Sequence, residues 1–219
     1  DKVGTTGTGT GPANSDRALR KLSIARDCTQ VKDYLNDISM LIHSNLENQN
    51  NILIEGTQGT YLSLYHGGYP FVTSKDVTAS SICADVGIGP KHVDEVLVVF
   101  KSYVTRVGGG PLENELDKEE SNKRGWTEYG SVTGRERRSS PFNINLAKKA
   151  IRLNGGTSFA LTKMDVLYPE CAGITDYSKL PSSAQKFIED IESELGLKAI
   201  LIGTGAAVNA IIDRRAIKY

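Results

Sequence analysis

At 219 residues the chain is about one and a half times the roughly 150 residues of an average domain, so one large domain, or a domain with an appendage, is expected. Hydrophobic residues at 39%, charged residues at 24% and a mean hydropathy of −0.29 exclude both a disordered polyelectrolyte and a membrane-embedded chain. Lys+Arg 26 against Asp+Glu 26 cancel, so no global field drives the chain onto nucleic acid or an anionic membrane, and any anionic ligand must be held by local clusters.

The chain opens DKVGTTGTGTGPANSDR, without an initiator Met or a signal peptide, which suggests part of a longer polypeptide. Residues 15–46 contain no Gly or Pro, and Tyr34, Leu35, Ile38, Leu41, Ile42 and Leu46 recur at helical spacing, which predicts mostly helix. Residues 51–54 and 96–100 are short, branched apolar runs and are predicted to be buried strands. Residues 108–140 are polar, broken by Gly and Pro, and carry acidic residues at 113–120; they read as a solvated surface excursion. Runs at 158–162 and 199–202 repeat the buried-strand form. Between them Ser182 or Ser183 can cap a helix that carries Phe187, Ile188, Ile191 and Leu195 on one face and stops at Gly196. This alternation predicts an α/β fold with a mostly parallel central sheet and flanking helices, ligands sitting at the carboxyl ends of the strands.

Cys28, Cys83 and Cys171 are odd in number and far apart, which argues against a disulfide framework or a CxxC metal site and fits structural thiols in a reducing cytosol. His43, His66 and His92 show no metal-ligand spacing. The 22 glycines concentrate in GTTGTGTGP, EGTQGT, GIGP, VGGGP, VTGR, LNGG and GTG, a pattern of several ligand-facing loops. GTTGTGTGP offers the Thr5 and Thr6 hydroxyls and many N–H groups, the materials of an anion nest, but lacks the Lys of a Walker loop. EGTQGT places Gln58, an amide able to donate and accept, directly after a predicted strand.

LTKMD (161–165) follows another predicted strand. The Asp165 carboxylate can accept the paired N–H donors of guanine while the Lys163 stem lies over the base; alone, the same pattern also fits a ligand-free strand end. GTG (203–205) follows the next strand and offers turn N–H groups to a base carbonyl. VTGRERR (132–138) gathers Arg135, Arg137 and Arg138, guanidinium forks suited to carboxylate or phosphate, although a solvated basic loop would look similar and Glu136 dilutes the charge. Trp126 near Tyr129 is either a stacking surface or packing.

Taken in order, KVGTTGTGTGPANSDR, ILIEGTQGTYLSLYHGGYPFVTSKDVTAS, GIGPKHVDEVLVVFKSYVTRVGGGP, VTGRERR, LTKMDVL, ITDYSKLP and GTG resemble adenylosuccinate synthetase, in a short form like that of archaea, over essentially the whole chain. The resemblance implies a P-loop-NTPase-related fold with loop and helical excursions, residues 1–219 forming a single domain that lacks its N-terminal portion. It implies a cytoplasmic, magnesium-dependent ligase. GTP phosphorylates the 6-oxygen of IMP, and the amine of L-aspartate then displaces phosphate to give adenylosuccinate. Carried over by motif, Thr6 and Thr73 bind the IMP phosphate with Arg20 from a second subunit, hence a homodimer. Gln58 meets the purine 6-position, Arg135 the IMP ribose, and Thr133 with Arg135 and Arg137 the aspartate carboxylates. Lys163 and Asp165 read guanine with Gly203, Thr204 and Gly205, and Arg137 also serves the GTP site.

The sequence also departs from the family. The family's catalytic aspartate and histidine sit in GDEGKGK and GHT motifs N-terminal to everything here; neither motif occurs in these residues, which themselves supply no metal ligand, so the chain alone is expected to be inactive. Glu136 stands where Arg is usual, which changes the number of carboxylate contacts the loop makes, and Thr8 and Ala206 mark further places where contacts differ. Two alternatives stay open: a guanine-nucleotide-binding module without catalysis, and the same chemistry on dGMP.

Overall fold

The computed structural model describes residues 3–131 and 133–215. Lys2 and Val132, each part of a motif segment quoted above, lie outside the described residues. The chain divides into two compact units, one formed by Thr5–Asp94 and the other by Asp1–Gly4 with Glu95–Tyr219.

The 5–94 unit is built mainly from turns. Helix α1 (Thr10–Ala18) follows the glycine-rich loop, α2 (Ile38–Glu47) is capped by Asp37, whose carboxylate accepts from the Met40 N–H at 2.9 Å, and α3 (Ala79–Val86) ends on Gly87 at φ 74°. The long helix predicted over 15–46 is therefore broken. Arg20 takes φ 60° just beyond α1, and residues 25–34 form 3₁₀ turns. Tyr34 is 85% exposed and Leu35 is exposed too, and a helical face without tertiary burial has little to hold it, whereas Ile42 and Leu46 are half-buried and lie in α2. The strand predicted at 51–54 is likewise absent. No neighbouring strand among the described residues pairs with it, so the run has no ladder; Leu53 is 94% exposed, while Ile52 and Ile54 are half-buried.

The other unit carries the sheet. In chain order it contains β1 (Leu97–Lys101), β2 (Tyr103–Arg106), α4 (Lys118–Lys123), β3 (Glu128–Tyr129), β4 (Glu136–Pro141), α5 (Ile144–Asn154), β5 (Ser158–Thr162), α6 (Met164–Leu167), α7 (Ser182–Leu195), β6 (Ala199–Gly203) and β7 (Ile211–Asp213). One sheet runs β1-β5-β6-β7, with β1, β5 and β6 parallel and β7 antiparallel at the edge; the strand predicted at 96–100 is present as β1 but lies at the other edge, so it is not buried as predicted and Val99 is 63% exposed. The second is a small antiparallel sheet, β2-β4-β3. Ser102 alone separates β1 from β2. It is buried, its N–H donates to the Thr162 carbonyl at 2.9 Å, and its hydroxyl donates to the Lys163 carbonyl at 2.8 Å.

The core lies between the parallel sheet and α7, where Phe159, Leu161, Ile188, Ile191, Ile202 and Ile212 pack together. The helix predicted after residue 181 is present, but Pro181 takes the N-cap position and both serines fall inside the helix. No side chain caps it; the proline's fixed φ of −54° sets the entry, and Gly196 at φ 65° ends it as expected. Cys171 is fully buried, and burial pushes its thiol up to about 11, the state of an inert packing group.

Residues 108–140 are more than a solvated excursion. They supply β3, α4 and part of β4, and Trp126 is buried with its ring stacked on Tyr103 at 4.7 Å. Trp126 is thus packing. The acidic run caps and braces: Asp117 accepts from the Glu120 N–H at 2.8 Å at the start of α4, and Glu115 accepts from the Arg138 Nε at 2.7 Å. The run is polar because these carboxylates answer specific donors, a role composition alone does not reveal.

Candidate functional site

In the 5–94 unit, Gln58 and Thr73 meet although fifteen residues separate them: the Gln58 amide donates to the Thr73 hydroxyl at 3.0 Å. Gln58 holds φ 70°, a conformation a non-glycine residue adopts at a cost. The Thr73 segment is pinned from behind. Its N–H donates to the Leu62 carbonyl at 2.8 Å, and the next residue, Ser74, accepts from the Asn14 amide at 3.0 Å. Asp76 closes the turn, taking Ser63 Oγ at 2.7 Å, the Val77 N–H at 2.8 Å and Thr78 Oγ1 at 2.7 Å. Burial pushes its carboxyl up, but these donors outweigh that and leave it below the ordinary 3.8.

Thr6 shares a hydrogen bond with the Thr8 hydroxyl at 3.2 Å on an exposed loop. Arg20, just past α1, is exposed and its side chain has no protein partner among the described residues.

In the other unit, Thr133, Gly134 and Arg135 lie between β3 and β4, and Glu136, Arg137 and Arg138 begin β4. Gly130 N–H donates to the Arg135 carbonyl and Gly134 N–H to the Gly130 carbonyl, both at 2.8 Å, and the Arg135 N–H reaches Thr133 Oγ1 at 3.4 Å. The three arginines part company here. Arg135 donates to the Gly4 carbonyl at 2.9 Å. Arg138 is taken up structurally, by Glu115 and by the carbonyls of Gly108 at 3.1 Å and Gly110 at 2.9 Å, so it braces the VGGGP loop. Arg137 points to Glu128, its Nη1 3.5 Å from Oε2, while its buried Nε has no partner among the described residues. Glu136 pairs with Lys118 at 2.8 Å, away from the other guanidiniums.

The two predicted base-reading segments end adjacent parallel strands, β5 and β6. Lys163 takes φ 66° at the start of α6, and Asp165 sits in its first turn, half-buried and without a hydrogen bond or ion pair among the described residues. Thr204 is engaged internally: its N–H donates to the Ala210 carbonyl at 2.9 Å and its hydroxyl to the Ile174 carbonyl at 2.8 Å. In the GTG turn, then, Thr204 fixes the backbone, while Gly203 closes β6 and Gly205 continues beyond it.

One residue here was not singled out from sequence. Glu128 accepts from Tyr103 Oη at 2.6 Å and Lys101 Nζ at 3.1 Å, and lies opposite Arg137 in the β3–β4 register. Burial raises its carboxyl, but the Tyr103 hydrogen bond and the Lys101 charge more than offset this and leave it below the ordinary 4.5. A hairpin centred on residues 132 and 133 would have put positions 128 and 137 face to face, and that is the signal available in the sequence.

No group of three or more His, Cys, Asp or Glu able to hold a metal occurs among the described residues, and no helix among them is long and apolar enough to cross a membrane.

The loops that carry Lys163 with Asp165 and the GTG turn leave the carboxyl ends of the adjacent parallel strands β5 and β6, the position at which open α/β sheets seat their ligands. A family profile described as adenylosuccinate synthetase matches residues 20–171. Adenylosuccinate synthetases from Pyrococcus horikoshii and Methanocaldococcus jannaschii are 52% and 53% identical over 214 residues, 98% of this chain and 63% and 62% of theirs. The chain belongs to the adenylosuccinate synthetase family, and it spans somewhat less than two thirds of the length of these relatives. In fold it is similar to fully ligated adenylosuccinate synthetase from Plasmodium falciparum, with a TM-score of 0.86 at 23% identity over 97% of this chain and 71% of that one. It is similar also to a succinoaminodeoxyadenylate synthetase from cyanophage S-2L, with a TM-score of 0.73 at 22% identity over 98% of this chain and 63% of that one.

Proposed function

We propose that this chain supplies part of a GTP-dependent ligase that joins IMP to L-aspartate, giving adenylosuccinate, GDP and phosphate by way of a 6-phosphoryl-IMP intermediate. Family membership makes the reading specific, and the observation that carries it is the Gln58–Thr73 pair, which brings two of the predicted IMP groups within one hydrogen bond.

The chemistry suits the groups. A purine carbonyl oxygen leaves poorly until it is phosphorylated, and the protein's task is to position the partners and stabilise the charge that develops. Gln58, already aligned by Thr73, presents an amide to the 6-position. Thr6 and Thr73 offer hydroxyls to the IMP phosphate, with Arg20 contributed by a second copy in a homodimer. Thr133, Arg135 and Arg137 receive the aspartate carboxylates. The unengaged Asp165 carboxylate accepts the guanine N–H pair, which adenine cannot match, and Lys163 borders the base. The family's reaction uses magnesium, and no group of three or more His, Cys, Asp or Glu among the described residues could hold it.

The test is phosphate release by the full-length protein given GTP, magnesium, IMP and aspartate, each omitted in turn. Release is expected only with all four. Release without IMP, or none at all with the complete mixture, would remove this reading.

A further inference from the structure

The Glu128 carboxylate is the meeting point of four side chains from four separate segments. Tyr103 of β2 donates to it at 2.6 Å and Lys101 of β1 at 3.1 Å; Arg137 of β4 stands 3.5 Å away and Lys163, at the end of β5, 4.0 Å away. The carboxylate is only 18% exposed, yet it remains ionised because it is surrounded by donors.

These contacts fall into two classes. Tyr103 and Lys101 hold the carboxylate at full hydrogen-bond distance, and Tyr103 is itself fixed by stacking on Trp126. Arg137 and Lys163 stand at ion-pair distance only, oriented by charge while their donors are not used up, and the Arg137 Nε lacks any partner among the described residues. Three cations share one carboxylate, so the cluster keeps an excess of positive charge that an anionic substrate group would complete. The loosely held pair are the two residues that, on the reading above, face aspartate and guanosine nucleotide.

Resting on that reading, we infer that Glu128 is a positioning residue for both substrates: anchored by Tyr103 and Lys101, it sets the Arg137 fork and the Lys163 ammonium from one point, and so couples the aspartate loop to the base-reading loop. A carboxylate that merely braced the two sheets would affect folding but would not discriminate among substrates.

The experiment is steady-state kinetics on the full-length protein with Glu128→Gln, varying aspartate, GTP and IMP separately. The amide keeps an acceptor for Tyr103 and loses the charge. The KM for aspartate and the KM for GTP are both expected to rise roughly tenfold, the loss of a charged contact, with the KM for IMP little changed. Glu128→Asp, which restores the charge on a shorter stem, should recover part of both. If Glu128→Gln fails to fold, Tyr103→Phe carries the test, since it keeps the carboxylate and removes its shortest hydrogen bond; a smaller rise in the same two KM values is expected. Unchanged KM values for aspartate and GTP in whichever variant folds, or an equal rise for all three substrates, would overturn the inference while leaving the ligase reading intact. Wild-type protein that releases no phosphate would overturn both.

Discussion

The side-chain amide of Gln58 donates to the hydroxyl of Thr73 at 3.0 Å, across a loop whose backbone is held in the left-handed region at Gln58 itself. The bond joins a group proposed for the purine 6-position to one proposed for the phosphate. Gln58→Ala is expected to lower kcat by about 10²- to 10³-fold, the usual effect of losing a donor aimed at developing charge, with a much smaller change in the KM for IMP. Steady-state kinetics with IMP as the varied substrate checks it.

Asp165→Asn replaces a pure acceptor with an amide that presents donors to donors. GDP binding by titration calorimetry should weaken by about 1–3 kcal/mol, with IMP binding unaltered. An unchanged GDP affinity would reject the base-reading role.

Phe159 is fully buried at the centre of the parallel sheet, tilted against Phe100 at 5.9 Å. Phe159→Ala should cost about 3–5 kcal/mol in urea denaturation, through lost burial and the cavity left behind. A loss below about 1 kcal/mol would mean the site collapses around the change.

Glu128, Glu192 and Asp76 all have carboxyls held below their ordinary values; in each, burial works against the shift and hydrogen bonds override it. A depressed native value means that their stabilisation is complete above the unfolded values of 4.5 and 3.8 and is lost as pH falls through the native ones. Denaturation midpoints should therefore be flat from about pH 7 to 5 and fall steeply below pH 4, and Glu128→Gln should make the acid limb shallower. The midpoint is read by fluorescence of Trp126, the single tryptophan.

The central strand β5 could be read from sequence because burial on both faces leaves an unbroken apolar run, and the edge strand β1 carries a similar run although Leu97 and Val99 are exposed. The strand predicted at 158–162 matches β5 residue for residue, and that at 199–202 falls short of β6 by Gly203 alone. The run at 51–54 has the same composition and forms no strand, because a strand is a property of a pair and the run holds no information about its neighbour. In the same way, helical spacing over 15–46 could not show that Tyr34 and Leu35 would lie exposed. Among the site groups, the loops were legible through their glycines, and Arg135, Arg137, Lys163 and Asp165 through their chemistry. Glu128 was hidden in a stretch read as solvated, since its importance lies in a cross-strand partner and a buried phenol rather than in local sequence.

The one-residue step at Ser102 leaves the chain no slack. Successive side chains of an extended segment alternate sides, so adding or deleting a single residue there would turn Tyr103 away from Trp126 and carry its hydroxyl off Glu128. In descendants of this chain, natural or engineered, length changes should be purged at the serine, so the junction acts as a fixed ruler between the two sheets.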